Sequence, residues 1–75
     1  MLSERAHHRS LLTGREREIF QLLVRDYSTK DISIQLKISE KTVRNHISNT
    51  IQKLGVSGRS QAILELLRLG ELSLD

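Results

Sequence analysis

The amino-acid sequence predicts an all-α fold of four helices, and three observations carry that expectation. Apolar residues recur at helical spacing, most clearly Val43, Ile47, Ile51 and Leu54, which step by four, four and three. Helix-starting and helix-ending residues punctuate the chain at matching places: Thr13, Ser28 or Thr29, Ser39 and Ser57 or Gly58 open segments, while Gly55 and Gly70 close two of them. The chain has no proline to break a segment, and no stretch alternates as a strand would.

The first helix opens at Thr13, whose hydroxyl can cap it while Glu16, three residues on, reaches back to the cap amide as a capping box. Ile19, Phe20, Leu22 and Leu23, with Val24 at the edge, supply the buried stripe; Arg15, Arg17 and Glu18 face water. The helix should end near Arg25 and Asp26, where aspartate tolerates the left-handed turn that glycine usually takes. A short second helix follows over Lys30–Leu36, with Ile32 and Leu36 on one face. After only Lys37 and Ile38, Ser39 caps a third helix running from Glu40 to about Leu54. Two helices joined by so short a turn make a helix-turn-helix, in which the second member enters a major groove. The fourth helix runs through Leu69.

The chain has 75 residues, enough for one small domain whose core is marginal for its size, and it has no cysteine with which to reinforce it. Residues 1–10 are polar and aperiodic and read as a disordered arm; 11–75 form the folded domain. The adjacent His7 and His8 in that arm do not converge on an ion without further ligands, so no metal or other cofactor is called for. No apolar run approaches membrane or signal-peptide length, which gives a cytoplasmic expectation with no membrane partner.

Charge and aromatic content narrow the partner. Phe20 and Tyr27 are the only aromatics, too few to build the stacking platforms that hold single strands. A duplex backbone asks only for positive charge and hydrogen-bond donors. Of the net +3 charge, residues 37–59 hold five cations against one acid, whereas residues 60–75 hold one against three. The excess coincides with the third helix.

That helix carries a polar row opposite its apolar one. Arg44 is suited to guanine O6 and N7, Asn45 to adenine N6 and N7, and Ser48 and Asn49 are short hydrogen-bonders that permit close approach to base edges. Expected backbone contacts are Ser28, Thr29 and Lys30 at the start of the second helix, Lys41, Thr42 and His46 beside the reading row, and Lys53 farther along. Capping is an equally good reason for Thr29 and Ser39. An enzyme is not expected: His46 has no carboxylate one helical turn away to orient it, and the four glycines all fall at helix ends rather than in a phosphate loop.

The fourth helix is apolar around too much of its circumference. Ala62, Ile63, Leu64, Leu66, Leu67 and Leu69 exceed what one core contact needs. A second copy of the chain, bound through Ile63, Leu64 and Leu67, is the expected cover. The competing expectation is that the tail residues Leu72 and Leu74 cover Leu64 or Leu67.

Four ordered motifs, L-T-G-R-E-R-E-I-F at 12–20, S-T-K-D-I at 28–32, I-S-E-K-T-V-R-N-H-I at 38–47 and K-L-G-V-S-G-R-S-Q-A at 53–62, together resemble the LuxR/FixJ-type helix-turn-helix family over residues 11–70. The resemblance is nearest to the small free-standing members that regulate spore-coat genes, since the length leaves no room for the receiver or ligand-binding domain carried by most relatives. It implies a four-helix DNA-binding domain acting on transcription, with Lys41, Arg44, Asn45 and Ser48 at DNA-contacting positions, Thr42 and His46 near the backbone, and the fourth helix dimerising. RNA polymerase is a further candidate partner. The chain departs from the family at Ser33, usually alanine, and at Asp26, often glycine. Two other readings compete: a promoter-binding module like region 4 of a sigma factor, which would not need the apolar fourth helix, and a helical protein-interaction module, which would not need the polar row.

Overall fold

The computed structural model describes residues 11–74, in which four helices form: α1 (Gly14–Leu23), α2 (Thr29–Leu36), α3 (Glu40–Leu54) and α4 (Arg59–Arg68). The arm over residues 1–10, with His7 and His8, lies outside the described residues, as does Asp75. Each of the first three helices begins on a side-chain cap. The Thr13 hydroxyl accepts from the Glu16 amide at 3.1 Å, and the Glu16 carboxylate accepts from the Thr13 amide at 3.0 Å. Ser28 and Asp31 repeat this box on α2, which therefore starts at Thr29, one residue earlier than expected. Ser39 caps α3 through the Thr42 amide, whereas Gly58 opens α4 with no side-chain bond.

The helix ends are equally local in origin. Gly55 closes α3 at φ +69°, a left-handed conformation in which a side chain would be strained. Asp26 and Lys37 adopt the same region at φ +70° and +59°. Asp26 was anticipated; Lys37 was not, because lysine carries no left-handed signal, and the turn is set by the Ile38 amide reaching the Ser33 carbonyl at 3.1 Å. Ser33 fits where a small apolar residue is usual because its hydroxyl donates to the Lys30 carbonyl at 2.8 Å.

Helix α3 is the spine, packing against each of the other three, while α1 also meets α2. Phe20 and Ile19 from α1, Ile32 from α2, Val43 from α3 and Leu66 from α4 are fully buried between them. Burial of each such side chain is worth about 1.5–3 kcal/mol. The stripe on α3 differs from the expected one. Thr50 is fully buried while Ile51 and Leu54 are only half-buried, and its hydroxyl is satisfied by donating to the His46 carbonyl at 2.9 Å.

The C-terminal tail returns across α1. Arg17, expected in water, donates both to the Glu71 carbonyl and to its carboxylate at 2.7 Å. Gln21 and Ser73 exchange bonds beside them. Leu72 is thereby buried in the core next to Leu66, whose carbonyl it meets through its amide. Among the described residues the tail leaves the outer face of α4 uncovered: Leu64 is 66% exposed and Leu74 72% exposed. Ile63 and Leu67 are half-buried against the core.

Candidate nucleic-acid interface

The position of α3 follows from its sequence. Val43, Ile47 and Thr50 point into the core, and at about 100° per residue the opposite sector is occupied by Lys41, Asn45, Ser48, Asn49 and Gln52. All five are exposed. Of the expected base readers, Asn45, Ser48 and Asn49 share this sector, whereas Arg44, also exposed, stands at its edge beside the half-buried Ile51. Asn49 borders, with Gln52, an open cleft whose other walls are Thr13, Glu16 and Lys53. The row presents donors and acceptors with no large apolar side chain among them, as a face must do that meets base edges.

Cations and hydroxyls flank the row unequally. Lys30 and Lys41 are exposed, with no ion-pair partner among the described residues. Ser28 and Thr29 stand at the start of α2, and Ser28 is committed to its capping box. Thr42 is half-buried and its hydroxyl accepts from Ser39 at 2.9 Å. His46 is half-buried on the α1 side of α3, close enough to Glu16 for its charge to favour the ionised carboxylate.

Lys53 has an occupation that the sequence did not reveal. Its ammonium donates to the Glu16 carboxylate and, at 3.0 Å, to the Leu11 carbonyl. It is turned inward, and its side chain is 35% exposed. Glu16 itself is only 3% exposed. Its burial opposes ionisation, but the bonds from Lys53 and the Thr13 amide and the nearby charges of Lys53 and His46 prevail, holding the carboxyl below its ordinary range. The pair locks the start of α1 to the last turn of α3 and so fixes how the reading row is presented. A local pattern could not find it, because the partners are 37 residues apart. Glu40, half-exposed in the first turn of α3, lies 3.6 Å from Arg44.

Among the described residues no group of His, Cys, Asp or Glu is placed to hold a metal, and no helix is long and apolar enough to cross a membrane. Residues 10–66 match the family described as GerE, bacterial regulatory proteins of the luxR family. The chain is 72% identical over 64 residues to the spore germination protein GerE of Bacillus subtilis, covering 85% of this chain and 86% of that protein. It is 48% identical over 60 residues to the transcriptional regulatory protein DegU of Brevibacillus brevis and 40% identical over 63 residues to the response regulator protein VraR of Staphylococcus aureus. It spans 25% of DegU and 30% of VraR, though 80% and 84% of its own length is matched. A match over most of the chain, carried by the helices just described, makes this protein a member of the luxR family of bacterial regulatory proteins, which are DNA-binding transcription regulators and not enzymes.

Proposed function

We propose that this chain regulates genes of the sporulation programme, spore-coat genes among them, by binding duplex DNA as a homodimer with α3 in the major groove. The observation that carries the reading is the exposed polar row of Lys41, Arg44, Asn45 and Ser48, left uncovered by the buried stripe of α3. Arg44, Asn45, Ser48 and Asn49 read base edges; Ser28, Thr29, Lys30, Lys41, Thr42 and His46 hold the sugar-phosphate backbone. Lys53 is assigned to the pair with Glu16 in place of a phosphate, because a cation engaged with a buried carboxylate gains little by leaving it. The link to the spore rests on the 72% identity with a spore germination protein.

The dimer is supported by α4, where Leu64 remains 66% exposed beside the half-buried Ile63 and Leu67. An apolar strip left open by both core and tail is suited to a twofold copy, which would place two reading helices at a fixed spacing. Bound beside a promoter in the bacterial cytoplasm, such a dimer meets RNA polymerase as its next partner. The test is selection by the purified chain from a pool of random duplexes. Enrichment of one motif, repeated as two related half-sites, is expected; retention of duplexes without any enriched motif would contradict base reading.

A further inference from the structure

Arg44 and Lys41 are both exposed on α3, yet among the described residues only Arg44 is matched by an acid. Glu40 is the sole carboxylate among residues 37–59, and it sits in the first turn of the reading helix, 3.6 Å from the Arg44 guanidinium. The cap does not need it, since the Ser39 hydroxyl takes the Thr42 amide. Nor is it buried: the two side chains are 44% and 56% exposed, so no packing requirement keeps a carboxylate there. On a face that meets phosphates an acid is a local liability. Its place in the first turn suits the positive end of the helix, a gain separate from any made through Arg44.

We infer that Glu40 is a specificity-determining positioning residue that acts through Arg44, an inference resting on the duplex-reading function above. The contact is an ion pair at a distance too long for a hydrogen bond, so it restrains the guanidinium without saturating its five donors. A diffuse phosphate offers Arg44 one more charge partner in place of the one it has. A guanine edge offers two directed bonds in one plane. Arg44 therefore stays with Glu40 on unrelated duplex and leaves it on the cognate one. The carboxylate turns a general cation into a conditional reader, whereas Lys41, which has no such partner among the described residues, binds phosphate on any sequence.

The test uses the full chain and two probes: a duplex selected from a random pool by the parent protein, and a scrambled duplex of equal length and composition. With Glu40→Gln, affinity for the scrambled probe should rise roughly two- to fivefold, the scale of releasing one exposed ion pair. Its salt slope should steepen by about 0.9, the mark of one more phosphate neutralised. Affinity for the selected probe should rise less, so discrimination narrows. In an Arg44→Ala background the same substitution should leave the slope unchanged. A loss of helix-end electrostatics alone would lower thermal stability without moving the slope. Unaltered discrimination and slope in Glu40→Gln would overturn the inference, as would an equal effect with and without Arg44. A parent protein that does not discriminate between the probes would instead refute base reading itself.

Discussion

Glu16 shows how one side chain serves both the helix that carries it and the helix that reads. Its carboxylate completes the cap of α1 and takes the Lys53 ammonium from α3, so one group ties the start of α1 to the last turn of α3. Because its folded-state pKa is depressed below the ordinary 4.5, its contribution to stability is fully present above that value. The contribution is lost as pH falls through the lower folded value. Acid titration of the melting temperature should therefore show a descending limb below about pH 4.5 that Glu16→Gln flattens. At neutral pH, Lys53→Met should destabilise the fold by about 1–3 kcal/mol, since it strands a buried carboxylate. An unchanged melting temperature would remove the pair from the fold's support. Neither the buried Thr50 nor the Glu16–Lys53 pair was legible in the sequence. Threonine reads as surface until its hydroxyl is seen bonded to the preceding turn, and a capping glutamate gives no sign of a lysine arriving from another helix.

The elements were legible because their boundaries are local. Thr13, Ser39 and Gly55 act within one turn of themselves, so the sequence alone placed the starts of α1 and α3 and the end of α3. The end of α2 at Leu36 was legible too, but the left-handed conformation of Lys37 just beyond it was not, because lysine has no such preference of its own. Asp26 sits at φ +70° without a glycine's freedom, so Asp26→Gly should stabilise the chain by about 0.5–1 kcal/mol, read from denaturant unfolding. A lower unfolding midpoint would mean that the aspartate side chain itself holds the turn. On α4, Leu64 is a cleaner probe of self-association than Leu67, which also touches the core. Leu64→Glu should sediment as a folded monomer where the parent sediments as a dimer. Identical sedimentation of the two at every concentration would leave the exposed strip without its assigned partner.

At the scale of the whole molecule, the fold holds one helix against three neighbours and leaves its remaining face open to a duplex. The charge bias that first marked this face came from counting residues, and the structure resolves it into cations with different surroundings. Lys41 has no ion-pair partner among the described residues, Arg44 lies 3.6 Å from Glu40, and Lys53 is engaged inside the fold. Their salt dependences should differ accordingly. Lys41→Ala should reduce the slope of log affinity against log salt by about 1 on any duplex, while Lys53→Met leaves it in place. A flattened slope in the Lys53 variant would return that residue to the phosphate contacts. The most direct measurement pairs the parent chain with Arg44→Ala on a selected and a scrambled duplex at one salt concentration. Base reading by α3 predicts a loss of about 1–3 kcal/mol on the selected duplex with little change on the scrambled one; equal losses on both would contradict it.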